Sequence, residues 1–286
     1  MSEVASLPKS VVVFYHDTQI TRYAQLATGS IIIFDHLITF DEEVTLVWSS
    51  AWSITKVLFL TTRYYVLTAM IFDNYAFFVP TLTDSVGHQF LRWQGWTGLF
   101  VGMMTQGTLQ IRIYAIHLLD KKILALMLVC FTASSATSAW VLGRALSSFT
   151  ASAIPVSEGL FCVATTWSPH FYTFWIPTLC FESLLCFLAL LRGLRMLKFA
   201  GFSFYQNRQE LMGVLIRDSV LYFLTVGATY FICIIFLALA APAFWELPVG
   251  FSVAFPSILA NRMVLNIRRA NAKTALFPDI GSLPAS

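Results

Sequence analysis

The stretch from residue 35 to residue 65, DHLITFDEEVTLVWSSAWSITKVLFLTTRYY, joins two apolar segments through an acidic, tryptophan-flanked link. The first segment ends around Asp35 and His36, and the second begins near Trp52. The carboxylates Asp41, Glu42 and Glu43 are unsuited to hydrocarbon, whereas Trp48 and Trp52 suit an interface where an amphipathic ring keeps one wet edge. This pattern predicts a helix hairpin whose link lies at a membrane surface.

Working outward, the composition agrees. The chain of 286 residues is 57% hydrophobic and 12% charged, against about 25% charged for ordinary soluble domains. Its mean hydropathy is +0.72. A bilayer core needs about 20 mostly apolar residues per helix, and segments of that kind fall near 20–39, 52–72, 92–118, 122–143, 171–192, 217–240 and 246–266. The expected architecture is an all-α bundle of seven transmembrane helices forming a single domain over 1–286. LLDKKI at 118–123 predicts a tight turn between antiparallel neighbours. The apolar run VVVF is too short for the core of a cleavable signal peptide, so the first helix is expected to act as its own targeting signal. The expected location is the plasma membrane or another membrane of the secretory pathway.

Orientation follows from Lys and Arg outside the spans. One face carries Lys9, Arg22, Arg92 and Arg144; the other carries Lys121, Lys122, Arg192, Arg195, Lys198, Arg208, Arg217, Arg268, Arg269 and Lys273. The rule puts the N-terminus outside and the C-terminus in the cytoplasm, although the acidic first link then faces inward. The connection near 144–170 is the longest outer loop and suits a binding role. Arg192, Arg195 and Lys198 could meet anionic lipid or a cytoplasmic protein, or serve only as anchoring charges. Net charge is +3, and with so few charges nucleic acid is not an expected partner.

Polar groups within the spans are the informative ones, because an ionisable side chain at the bilayer centre costs about 2.5–3.5 kcal/mol unless it finds a partner or water. Arg63 and Glu182 fall at similar depths in their helices, and Arg112 lies beyond Gln106 and Gln110 on the third. An Arg63–Glu182 ion pair, direct or through Gln106, is expected; a site for a polar ligand or proton is the alternative. Arg63, Gln106, Arg112 and Glu182 are therefore the candidate intramembrane polar site.

No other motif carries chemistry. His36 and His117, near Asp35 and Asp120, lack metal-binding spacing, and His16, His88 and His170 are expected at the outer interface. There is no G-x-S-x-G, no Gly-rich phosphate loop and no C-x-x-C pair. No catalytic residue, metal or cofactor is expected. Small residues at 134–139, SSATSA, suit close helix packing. Of Cys130, Cys162, Cys180, Cys186 and Cys233, only Cys162 falls in an outer loop, where a free thiol is expected.

The elements Asp35-His36-Leu37, Glu43, Trp48 and Leu60-x-x-Arg63-Tyr64 form one signature, and matches continue at LQIRIYAI (109–116), WIPTLCFE (175–182), LIRDSVLYF (215–223, with Asp218) and NRMVLNIR (261–268, with Arg262). On these the whole chain resembles a family of multipass membrane proteins abundant in mushroom-forming (basidiomycete) fungi, defined by an N-terminal domain of unknown function. The resemblance implies the multipass architecture and assigns no activity. The topology looks receptor-like, yet Arg112 follows no acidic residue and the last segment has no N-P-x-x-Y. A receptor-like sensor leads, a transporter or channel for a small polar solute or ion is the alternative, and a membrane-embedded enzyme comes third.

Overall fold

The computed structural model describes residues 9–78, 84–147, 150–156, 159–166, 171–199, 206–239 and 246–276. Seven α-helices run through them: α1 (Lys9–Glu43), α2 (Ile54–Phe78), α3 (Asp84–Ile116), α4 (Lys121–Ser147), α5 (Trp175–Phe199), α6 (Gln206–Leu239) and α7 (Glu246–Leu276). Each expected apolar segment lies in its own helix. Four stretches, Lys121–Ser147, Phe171–Arg195, Ser219–Leu239 and Leu247–Ala272, are long and apolar enough to cross a membrane. The helices α1 to α3 are as long but interrupt their apolar runs with polar residues that turn inward, among them Gln25, Asp35, Arg63, Asp73, Gln106 and Arg112.

That inversion extends through the molecule. Phe34 and Leu37 on α1, Ile71 and Tyr75 on α2, Val129 and Trp140 on α4, and Leu224 and Phe231 on α6 are all exposed. Helices that are apolar outward and polar inward suit a hydrocarbon surround, where interior polar groups must find one another.

The helices pack as a ring in sequence order, closed by α7 against α1, with α3 at the centre touching α2, α4, α5 and α7. The largest apolar cluster joins α3 to α7 through Leu109, Met127, Leu185, Val226 and Ala260. A second, Ile32, Val66, Met70, Val101 and Ala254, joins α1, α2, α3 and α7. Because neighbours alternate in direction, the starts of α1, α3, α5 and α7 share one end of the bundle, here the proximal end, with the termini of α2, α4 and α6. The opposite end is distal.

Two connections matter for the site. Between α3 and α4, Leu118 and Leu119 adopt left-handed φ of 57° and 63°, a conformation that costs roughly 1–2 kcal/mol per non-Gly residue. In return Leu119 N donates to Tyr114 O at 3.0 Å, closing α3, and Asp120 Oδ1 accepts from Lys122 N at 2.9 Å, capping α4. The second connection adds a short strand pair to the helical bundle. Within 144–170, β1 (Thr150–Val156) and β2 (Gly159–Thr166) form an antiparallel hairpin that packs on α3, with Ala153 opposite Cys162 and an irregularity between Thr150 and Ala151. Too polar and too short for a span, the segment satisfies its backbone groups across strands instead. The side chain of Cys162, and so its expected free thiol, lies outside the described residues.

Candidate functional site

Of the three link carboxylates Asp41 is exposed, Glu42 half-buried and Glu43 buried. The α1 helix continues to Glu43, and a π-helical turn, Val44–Trp48, carries the chain onward before α2 begins at Ile54. The wider turn is sited where the chain must swing Glu43 inward, consistent with the functional bias of π-bulges. Glu43 is fully buried. Its Oε2 pairs with Arg63 Nε at 2.6 Å, and its Oε1 accepts from Tyr64 Oη at 2.8 Å and from Trp48 Nε1 at 3.0 Å. Arg63 also donates through Nη2 to Thr39 Oγ1 at 2.8 Å and to His36 O at 3.0 Å. The His36 ring stands edge-on to Tyr64, 5.4 Å between centroids. Five of the eight signature residues thus form one network around the buried Glu43–Arg63 pair, and a charge so surrounded is compensated where it lies.

A second set of contacts ties this hairpin to α7. Asp35 Oδ1 accepts from Arg262 Nε at 2.6 Å, and Arg268 Nη1 donates to Leu46 O at 2.8 Å and to Ser50 Oγ at 2.5 Å. Arg269 pairs with Glu42 near the surface. Lys56 turns back from α2 to the link, donating through Nζ to Ser50 O at 2.7 Å and Trp48 O at 3.0 Å while lying 4.8 Å from the Trp52 ring centroid. The carbonyls that the turn leaves without helical partners are thereby satisfied by cations.

The expected Arg63–Glu182 pair does not form. Arg63 is engaged by Glu43, whose approach was not anticipated because its carboxylate was placed with the solvated link. Glu182 is buried on α5 with Gln106 of α3 as its polar neighbour, although neither carboxylate oxygen makes a well-directed hydrogen bond. So Gln106 and Glu182 come together and Arg63 stands apart. Arg112 is buried lower on α3 and lines, with Arg268, a distal opening of ≈ 450 Å³ between α2, α3 and α7. Asp218 lies in α6; its side chain, like that of Lys198, is outside the described ones. Arg195 is exposed, while Arg192 Nε donates to Ile116 O at 3.1 Å and His117 Nε2 meets Leu188 O at 3.1 Å, so both help to join α3 to α5.

At the proximal end an interior cavity of ≈ 80 Å³ is lined by residues of every helix: Gln25 of α1, Asp73 of α2, Gly98 of α3, Leu142 of α4, Trp175 of α5, Leu237 of α6 and Val253 of α7. A smaller one of ≈ 30 Å³ lies against it, shares Gly98, Phe174, Trp175 and Val253, and reaches Gln106. Asp73 lies one residue past the expected second span, where apolar length alone points to a connection. Its signal in the sequence is a carboxylate in the apolar run AMIFDNYAFF.

Residues 23–68 match the model of a family of unknown function, DUF6533. The match spans the C-terminal part of α1, the π-turn and most of α2, so it coincides with the Glu43–Arg63 network and its Asp35 anchor. No curated protein matches the chain. The matched segment thus contains the charged link between α1 and α2, and of the residues lining the proximal cavity it includes Gln25 but not Asp73.

Proposed function

We propose that the chain is a seven-helix membrane sensor that receives a small ligand in the proximal cavity and changes its distal end in response. The N-terminus is outside and the C-terminus cytoplasmic in this reading, as the Lys and Arg distribution requires. The observation that carries it is the cavity lined by all seven helices. A ligand there touches every element of the ring, so differential contact with two packings would bias the whole bundle. The distal opening lined by Arg112 and Arg268, beside the network that ties α1 and α2 to α7, is the place where such a shift would be read by an acidic partner surface.

The test is mechanical. At Gly98 an added Cβ would lie 3.8 Å from Val253 Cγ2, an ordinary contact, so Gly98→Phe starts without a backbone clash and directs its ring into the space lined by Gly98. Spin labels at Ala51 and Leu194, in a cysteine-free background, should report a changed distal distance distribution in Gly98→Phe. An unchanged distribution refutes coupling between the two ends. A transporter is the second reading, favoured by the abutting cavities that lead from Asp73 toward Gln106 and Glu182; solute uptake into vesicles holding the purified chain would select it.

A further inference from the structure

Asp73 is 4% exposed and lines the proximal cavity. Its Oδ1 makes no hydrogen bond, and among the described residues no Lys or Arg pairs with it. Asp35 has Arg262, and Glu43 has Arg63, Tyr64 and Trp48; Glu182 is also without a cation among the described residues, but it lines neither proximal cavity. An uncompensated carboxylate in a low-dielectric interior is costly, and such groups persist where something else supplies the charge. The rest of the cavity is chiefly apolar, with Phe171, Phe174 and Trp175 at one wall and Gln94 and Thr97 nearby on α3. Aromatic faces attract cations through the ring quadrupole. At ≈ 80 Å³ the space is several times the about 10–15 Å³ that holds one water.

We propose that the proximal cavity binds a small organic cation, a primary amine with a compact apolar body, whose ammonium group is held by Asp73. This rests on the cavity being the ligand site of the sensor. The carboxylate supplies the opposite charge, the aromatic wall takes the apolar body and the edge of the positive charge, and Gln94 and Thr97 offer acceptors to further N–H groups. Anions are excluded by the same carboxylate, and a bare metal ion is disfavoured because Asp73 is the one carboxylate in a lining that is otherwise chiefly apolar.

The experiment is thermal unfolding of the detergent-purified full chain with methylamine, butylamine and phenethylamine, beside 2-phenylethanol, 3-phenylpropionate, and sodium against potassium chloride at equal ionic strength. At least one amine should raise the melting temperature in a saturable way, and the alcohol and the acid should not. Asp73→Asn should weaken that amine about thirtyfold or more, the effect of removing one partner of a buried charge pair. Without ligand, Asp73→Asn should be no less stable than wild type, since it removes an uncompensated charge; a less stable variant would make the residue structural and overturn the assignment. Gly98→Phe, with Asp73 intact, should abolish the amine response. Equal stabilisation by 2-phenylethanol and phenethylamine would overturn the cation assignment while leaving a ligand cavity in place. A sodium-specific shift lost in Asp73→Asn would assign the carboxylate to a metal ion, and the absence of any amine response would refute the proposal outright.

Discussion

At Glu43 the side chain is fully buried with Arg63, Tyr64 and Trp48 around its two oxygens. Removing either member of the pair strands the other in the interior, a loss of about 3–5 kcal/mol in proteins generally. Glu43→Ala and Arg63→Ala should each lower the unfolding temperature sharply, while the double variant should lose less than the sum, by about 0.5–3 kcal/mol of coupling. The same cycle on Arg63 and Glu182 should be additive, because they share no contact. Calorimetric or fluorescence-detected unfolding of the four variants measures both couplings, and a non-additive Arg63–Glu182 cycle would contradict the observed pairing. Depth along a helix can be counted from spacing, but Glu43 reaches Arg63 only because α1 runs about one turn past residue 39 and then widens into the π-turn.

Among the elements, the α1–α2 link depends on α7. Arg268 holds Leu46 O and Ser50 Oγ, and a hydrogen bond from a charged donor contributes about 1.5–3 kcal/mol. Arg268→Ala should therefore destabilise the protein by about that amount and speed amide exchange across residues 44–50 without affecting α4 or α5. Arg269 meets Glu42 with both side chains partly exposed, so Arg269→Ala should cost under about 1 kcal/mol and the loss should vanish in high salt. Equal exchange rates in the two variants would show that α7 does not brace the link. The contact between α1 and α2 is also close: a Cβ at Gly29 would fall 2.5 Å from Asn74 Nδ2, which is itself bonded to Met70 O. Gly29→Val should then cost about 1–3 kcal/mol in unfolding experiments, as overpacking does.

For the whole molecule, the sensor reading predicts that a reporter fused after Ser286 is accessible only from the cytoplasmic side of intact cells. Access from outside would reverse the orientation or change the number of crossings. The helical architecture and the positions of its seven helices were legible in the sequence, because runs of about 20 apolar residues are a one-dimensional property that length and composition reveal. So was the importance of the segment matched by the family model, since Asp35, Glu43, Trp48, Arg63 and Tyr64 stand out as polar or aromatic residues in an apolar context. The partners of those residues were not legible. Which carboxylate meets Arg63, that Arg262 and Arg268 reach back across more than 200 positions to Asp35 and Leu46, and that Asp73 lines a cavity shared by all seven helices depend on how each helix is rotated about its axis. Rotation is set by the sum of contacts with several neighbours at once, and the ring around α3 comes into being only when the helices have packed.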